Sequence, residues 1–139
     1  MPELPEVETM RRGILKAVGS RITAAGRVPC RKRPIAVQPG GAALSKRVVG
    51  QKIASIGRVG KRVVMYLESK EALIFEPRMT GLVLVADPPT QEHMRFRLDL
   101  EEGPLKSIWY WDRRGLGSVR LLSVKQFAQQ FTGGKVGPD

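Results

Sequence analysis

The feature that most constrains this fold is a two-residue alternation of apolar and polar side chains. From Met94 to Leu100 the apolar residues alternate with Arg95, Arg97 and Asp99, a pattern typical of a β-strand with one buried face and one face in water. Apolar runs bounded by turn-forming residues predict further strands at residues 63–67, 72–76, 81–86 and 105–111. Residues 101–104 have the composition of a hairpin connection, so neighbouring strands are expected to run antiparallel.

Two helices are predicted, one near each terminus. Apolar side chains recur at helical spacing over residues 7–18, Pro5 suits the first turn, and Gly19 is a natural stop. Residues 123–126 have the spacing of a capping box, which opens a second helix that runs through Phe131.

These elements predict a mainly β fold, namely an antiparallel two-sheet β-sandwich with an N-terminal and a C-terminal α-helix. Gly40-Gly41 indicates a loose loop early in the chain. With 139 residues, of which 42% are hydrophobic and 27% charged, the chain is long enough for one domain with its own core and is unlike a disordered segment.

The sequence also excludes several classes of protein. No apolar run approaches the roughly 20 residues that span a bilayer, and the acidic, proline-containing start is unlike a signal or transit peptide. Cys30 is the only cysteine, which excludes an internal disulfide and a cysteine zinc site within the chain. We therefore expect a soluble, cytoplasmic domain that needs no membrane.

Positive charge is concentrated in one long segment. The chain has a formal charge of +11, and residues 9–67 contain no Asp or Glu but hold 14 Lys and Arg residues. A polyanion is the usual partner of such a segment, and nucleic acid is the leading candidate because each neutralised phosphate releases a counterion. A solvated basic face or non-specific stickiness is the alternative, and an anionic membrane surface is less favoured because no lipid-facing aromatic helix accompanies the charge.

The N-terminus could carry chemistry. Removal of Met1 before Pro2 would expose a secondary amine beside the carboxylate of Glu3 and just ahead of a helix. An α-amine has a reference pKa of about 8, so part of it is nucleophilic near neutral pH, and Glu3 is placed to move protons. Many chains begin with Met-Pro, however, so an ordinary start of no catalytic meaning is the simpler interpretation of this feature alone.

Four segments carry motifs that occur together, in this order, in one enzyme family. Residues 1–9 read MPELPEVET and are followed by Arg11-Arg12-Gly13, residues 58–61 read RVGK, residues 78–81 read RMTG, and residues 112–117 read DRRGLG. Together they resemble the formamidopyrimidine-DNA glycosylases over the whole chain. The opening residues are more similar to the branch that acts on oxidised purines than to the endonuclease VIII branch.

The resemblance implies a catalytic group at the start of the chain. Pro2 would be the nucleophile that attacks C1′ of the damaged nucleotide and forms a Schiff base, followed by β- and δ-elimination. Glu3 would act as general acid and base, and Glu6 would support the site from the first helical turn. Lys61 would hold the phosphate beside the lesion. A hairpin lysine in water is the alternative for Lys61.

The resemblance also implies a DNA-binding group. Met79, Arg114 and Leu116 would fill the gap left when the damaged nucleotide leaves the stack, and Arg114 would bond the orphaned base. His93 and Arg58 would lie on the DNA backbone. Outside the family, Met79 and Leu116 would be core or ordinary loop residues, and His93 a strand-edge histidine without a function.

Four positions depart from the family pattern. Glu76 stands where a histidine is usual, and Arg78, which replaces a glycine, is its expected partner. Gly115 and Leu116 replace a basic residue and phenylalanine. The group that would fill the gap (Met79, Arg114 and Leu116), which we call the wedge, therefore lacks aromatic stacking.

The resemblance finally implies an organisation beyond these residues. Residues 1–132 would form the catalytic domain, and residues 133–139 would begin a linker to a helix–two-turn–helix and zinc-finger half. We expect no cofactor in this chain, one zinc in the further half, damaged double-stranded DNA as partner and a monomeric state. The 139 residues alone would bind DNA weakly and excise little. A noncatalytic DNA-binding domain that retains the fold is the alternative, and an unrelated polyanion-binding sandwich would require all four motifs to be coincidental.

Overall fold

Two β-sheets face one another in this computed structural model, which describes residues 4–29, 34–78, 80–85, 88–90 and 92–131. The strands are β1 (Arg21–Arg27), β2 (Ala36–Gln38), β3 (Ile53–Val59), β4 (Arg62–Leu67), β5 (Ala72–Glu76), β6 (Gly81–Leu84), β7 (Met94–Glu101), β8 (Ser107–Asp112) and β9 (Ser118–Leu122). The first sheet has the strand order β1-β7-β8-β6 and the second has the order β2-β9-β5-β4-β3. Every pair is antiparallel except β2 with β9, which is parallel.

The predicted sandwich is therefore confirmed, and so is the antiparallel hairpin between β7 and β8. β5 has the predicted bounds, while the strand predicted at residues 81–86 ends at Leu84 and the one predicted at residues 105–111 is β8. The main core lies between the sheets and includes Phe75, Phe96 and Tyr110, whose rings are in contact. No helix in the part of the chain that the structure describes is long and apolar enough to cross a bilayer.

The first helix is shorter than predicted. α1 (Leu4–Gly13) buries Val7 and Met10 against the core, and a 3₁₀ turn (Leu15–Ala17) follows it. Leu15 and Val18, which the helical spacing placed on the apolar face, are exposed because the chain leaves the α conformation at residue 14. The prediction of one helix over residues 7–18 was wrong in this last turn. Gly19 ends the segment with φ +92°, a conformation that glycine adopts readily.

The structure contains a helix between β2 and β3 that was not predicted. α2 (Gly41–Val48) begins directly at the glycine pair that indicated a loose loop, and it packs on β1 through its buried residues Leu44 and Val48. Glycine has low helix propensity, and eight residues offer only two buried positions, so the sequence signal is weak. Tertiary packing stabilises this helix.

The C-terminal helix follows its prediction closely. In α3 (Val124–Phe131), the Gln126 N–H donates to Ser123 Oγ at 3.1 Å, and the Ser123 N–H donates to Gln126 Oε1 at 2.8 Å. This reciprocal pair is a capping box. The helix covers the outer face of the second sheet, where Phe127 lies edge-on to Tyr66 and next to Phe131.

Candidate nucleic-acid interface

The motifs that are far apart in the sequence meet at one end of the sandwich. Glu76 pairs with Ser118 in the second sheet, and Gly81 pairs with Asp112 in the first. The β5–β6 turn and the β8–β9 loop therefore leave the sheets at the same end. Because β4 runs antiparallel to β5, the β3–β4 turn lies there too, and β7 begins there. We call this end of the sandwich, formed by these three connections and the start of β7, the site end.

The β3–β4 turn carries Lys61 and is tied to α1. The turn residue Gly60 has φ +59°, and its carbonyl oxygen accepts a hydrogen bond from Arg58 Nη1 at 3.2 Å. Arg58 Nε lies 3.3 Å from Glu8 Oε1 on α1. Lys61, the next residue, is partly exposed. Arg58, predicted as a DNA contact, thus contacts both Glu8 on α1 and the Gly60 carbonyl in the turn.

Three guanidinium groups contact the Glu8 carboxylate. It accepts hydrogen bonds from Arg11 Nε at 2.9 Å and from Arg12 Nε at 2.9 Å, in addition to Arg58. Hydrogen bonds from Arg11, and then from Arg12 and Arg58, lower the pKa of Glu8 from 4.5 to about 2, although partial desolvation raises it. The carboxylate is therefore charged at any physiological pH.

A buried aspartate organises the β8–β9 loop. Asp112 is 0% exposed. Its Oδ1 accepts hydrogen bonds from Thr80 Oγ1 at 2.8 Å and Gly115 N at 3.0 Å, and its Oδ2 accepts from Tyr110 Oη and Gly117 N, both at 2.9 Å. Four donors satisfy the carboxylate, which offsets its desolvation.

Thr80 joins the two loops that carry the predicted wedge. Its hydroxyl donates to Asp112 and accepts the N–H of Arg114 at 3.0 Å. Arg114 is exposed and Leu116 is partly exposed, so both side chains are accessible at this end. Met79, the third predicted wedge residue, lies outside the described residues, but its neighbour Thr80 fixes that turn to the β8–β9 loop.

Arg95 fixes the same loop from the other side. Its Nε donates to the Asp112 carbonyl at 2.7 Å and its Nη2 to the Arg113 carbonyl at 3.3 Å. The alternation in β7 predicted a solvent-facing Arg95, which was wrong because the side chain is only 2% exposed. A buried guanidinium is stable here because it donates hydrogen bonds to loop carbonyl oxygens.

Tyr110 is enclosed by two glycines. A Cβ at Gly117 would lie 1.8 Å from Tyr110 Oη and 2.5 Å from the Glu76 carbonyl oxygen, and one at Gly81 would lie 2.3 Å from Tyr110 Oη. Both positions therefore require glycine. Burial, and then the Asp112 carboxylate, raise the pKa of Tyr110 well above its usual value, so it stays a donor.

Glu76 has a different partner from the one expected. Its carboxylate lies 3.5 Å from Arg62 Nη2, whereas Arg78 was the predicted partner and is exposed. The Arg62 guanidinium also lies over the Phe131 ring, 5.1 Å from the centroid. Arg62 faces Glu76 because β4 and β5 are adjacent strands, a relation that spacing along the chain does not reveal.

His93 is largely enclosed at the start of β7. Its side chain is 10% exposed, its ring lies edge-on to Trp111 at 5.6 Å, and Nε2 lies 3.3 Å from Glu92 Oε1. These contacts give His93 a packing role, and the predicted phosphate contact stays a prediction.

Much of the positive charge is compensated within the molecule. Of the 14 basic residues in the acid-free segment, at least seven form ion pairs with carboxylates from outside it: Arg11, Arg12, Arg21, Arg47, Lys52, Arg58 and Arg62. The net charge therefore overstates the number of cations that are ready to bind an external polyanion.

The remaining predicted residues are unevenly described. Glu6 is exposed in the first turn of α1, whereas Pro2, Glu3 and Cys30 lie outside the described residues. Among residues that the structure does describe, no three His, Cys, Asp or Glu side chains are grouped to hold a metal ion.

Sequence and structure comparisons agree on one family. Residues 1–119 match the family described as formamidopyrimidine-DNA glycosylase N-terminal domain. The chain is 35% identical over 131 residues to the formamidopyrimidine-DNA glycosylase of Chloroflexus aurantiacus, covering 92% of this chain and 45% of that protein. It is 40% identical over 131 residues to that of Rhodococcus jostii, covering 89% and 43%.

Solved structures give the same result. The Lactococcus lactis enzyme in complex with FAPY-dG containing DNA superposes with a TM-score of 0.78 at 31% identity, covering 99% of this chain and 50% of that one. A complex between an R247G LlFPG mutant and a THF containing DNA gives 0.81 at 33% identity, with 99% and 49% coverage. The chain thus spans about half the length of the relatives it matches. It belongs to the formamidopyrimidine-DNA glycosylase family and corresponds to the N-terminal domain of that family.

Proposed function

We propose that the protein is a base-excision repair DNA glycosylase and AP lyase that removes oxidised or ring-opened purines from duplex DNA. The observation that carries this proposal is the Thr80–Asp112–Arg114 network, which joins the two predicted wedge loops at the end where Lys61 lies. A wedge needs both loops held together, because its side chains must enter one gap in the base stack.

The proposed chemistry begins at the secondary amine of Pro2 after Met1 is removed. The nitrogen attacks C1′, the bond from C1′ to the base breaks, and the base leaves with a proton. Glu3 protonates the sugar ring oxygen as the ring opens, which gives an iminium. The iminium withdraws electrons, so loss of a C2′ proton expels the 3′ phosphate, and a second elimination expels the 5′ phosphate.

The other residues would present the sugar to the amine. Lys61 would hold the adjacent phosphate with a compact positive charge, and Glu6 would support the site from α1.

Turning a nucleotide out of the duplex costs a few kcal/mol of stacking, and insertion of Met79 and Leu116 would recover part of that cost. Arg114 would bond the orphaned base, while Arg58 and His93 would lie along the backbone.

We further propose that full activity needs a second half, which would contain a helix–two-turn–helix and one zinc. The relatives are about twice as long as this chain and so have room for such a half. The 139 residues alone would then bind DNA weakly, with strong dependence on salt, and excise little. The protein would act as a monomer in the cytoplasm, in contact with DNA.

Borohydride trapping tests the amine chemistry. Protein whose N-terminal residue is confirmed as Pro2 by intact mass is incubated with an oligonucleotide that contains an abasic site, and the iminium is reduced. We expect a covalent adduct, and we expect none with a matched variant that keeps one extra residue ahead of Pro2. Both proteins should bind the oligonucleotide.

The replacement of the wedge phenylalanine by Leu116 favours one second candidate, a DNA-binding domain that has lost excision. Binding without any adduct, in both the 139-residue chain and the complete natural protein, would support that candidate and contradict the first.

A further inference from the structure

Glu8 has no role in the chemistry proposed above. Its carboxylate, on α1, nevertheless contacts Arg58, which lies next to the β3–β4 turn that carries Lys61. We propose that Glu8 and Arg58 are a positioning pair that holds Lys61 at a fixed place relative to the start of α1. This inference rests on the proposed function, because it concerns the distance between the nucleophile that precedes α1 and the phosphate that Lys61 would hold.

The contacts form a continuous chain from the helix to the turn. Glu8 Oε1 lies 3.3 Å from Arg58 Nε, and Arg58 Nη1 donates to the carbonyl oxygen of Gly60 at 3.2 Å. That carbonyl belongs to the peptide group whose nitrogen is the backbone nitrogen of Lys61. A rigid planar guanidinium therefore links a carboxylate on α1 to the backbone of the turn.

The pair is better shielded than the long-range Arg21–Glu102 pair. The side chains of Arg58 and Glu8 are 13% and 26% exposed, whereas those of Arg21 and Glu102 are 36% and 42% exposed. Less water means less screening and less freedom for either side chain. Arg11 and Arg12 further restrict the Glu8 carboxylate from within α1.

The net charge around Glu8 allows an experiment to distinguish a positioning role of Glu8 from a purely electrostatic one. One carboxylate among three guanidinium groups leaves two positive charges in excess. Removing the Glu8 charge increases that excess and should favour DNA binding, while it releases Arg58 and the turn. A merely electrostatic role predicts that binding and catalysis change together, whereas a positioning role predicts that they change in opposite directions.

The experiment compares Glu8→Gln, Arg58→Gln and the double variant in the complete natural protein. Glu102→Gln is the matched control, because it removes the same charge from an Arg-paired carboxylate at the opposite end of the sandwich. Three quantities are measured: the hydrogen-exchange rates of the amides of residues 58–62, the affinity for a duplex with an abasic site, and the rate of borohydride trapping under saturation.

For Glu8→Gln we expect turn amides that exchange faster, affinity raised by about threefold at low salt, and a trapping rate lowered by about tenfold. Arg58→Gln should lower both affinity and trapping rate. The double variant should trap no more slowly than Arg58→Gln alone, because the two residues act through one contact. The control should leave turn exchange and trapping unchanged.

Unchanged exchange at residues 58–62 in Glu8→Gln would overturn the pair, and so would independent, multiplying effects of the two substitutions on the trapping rate. Failure of the proposed function has a different signature, because the unmodified protein would then give no adduct. In that case the exchange measurement still decides whether Glu8 and Arg58 hold the turn.

Discussion

The two ends of the sandwich use carboxylates differently. At the site end, Asp112 is fully buried and its four hydrogen bonds include two from loop backbone N–H groups. At the opposite end, which we call the far end and define by residues 68–71 and 101–106, Glu102 is 42% exposed and pairs with Arg21 and Lys52.

Asp112 and Glu102 differ in how much of the surrounding structure each carboxylate holds in place. A buried carboxylate bound by backbone groups determines a loop conformation, because every donor would be left unsatisfied if the loop moved. An exposed ion pair joins side chains that water can replace, so it contributes little to either shape or stability. We infer that Asp112 fixes the shape of the loops at the site end, whereas Glu102 does little to fix the shape of the far end.

Removing the Asp112 carboxylate should have the largest effect. Asp112→Ala leaves the hydroxyls of Thr80 and Tyr110 and two loop N–H groups without their acceptor, so we expect the free energy of unfolding to fall by about 3–5 kcal/mol. Urea unfolding measures it, with Glu102→Gln as the far-end control. A similar small loss in both variants would remove the contrast between the two ends.

Adding a methyl group to the β8–β9 loop should have the next largest effect. At Gly117 a Cβ would lie 1.8 Å from Tyr110 Oη, so Gly117→Ala should destabilise the protein by about 1–3 kcal/mol. Gly13→Ala is the control, because a Cβ there meets nothing within 4 Å. If Gly117→Ala unfolds at the same urea concentration as that control, the loop is not tightly packed against Tyr110.

Loss of the α3 cap should cost less. Ser123→Ala removes the acceptor for the Gln126 N–H, and we expect a loss of about 1 kcal/mol in unfolding free energy. Ser123→Asp can still accept that bond and should stay within a few tenths of a kcal/mol of the unmodified protein. A loss equal to that of Asp112→Ala would show that helix capping matters as much as the buried network.

The smallest effect is the pH dependence that comes from Glu8. Its pKa is lowered from 4.5 to about 2 in the folded state, so its contribution to stability is complete above about pH 5 and declines as the pH falls from 4.5 towards 2. The urea midpoints of the unmodified protein and Glu8→Gln should differ by a constant amount above pH 5 and converge below it. Convergence at neutral pH instead would mean that Glu8 has no favourable ion pair.

Local sequence signals predicted five of the nine strands that the structure describes, β4 to β8, and the α-helices near the two termini. The bounds of β5 and the capping box of α3 depend on neighbouring residues, and both were found as predicted. The burial of Arg95 was missed because it depends on loop carbonyls 17 and 18 positions away in the chain. The Glu76–Arg62 pair was missed because it depends on which strands are adjacent.

The site was predicted as motifs and not as a network. Asp112 stood at the head of a motif and Glu8 within another, but neither received a role, because spacing does not reveal that a carboxylate will be buried among donors. The signal that could have found Asp112 is the pair of glycines at positions 115 and 117, whose N–H groups are free to approach a carboxylate closely.

The internal ion pairs have a consequence for how the protein would move on DNA. A guanidinium that already pairs with a carboxylate must give up that partner before it neutralises a phosphate, so it releases fewer counterions on binding. At least seven of the cations in the acid-free segment are in this position. Under the proposed function, the affinity for undamaged duplex would therefore be lower, and a low non-specific affinity is what lets a protein slide along normal DNA to a rare lesion.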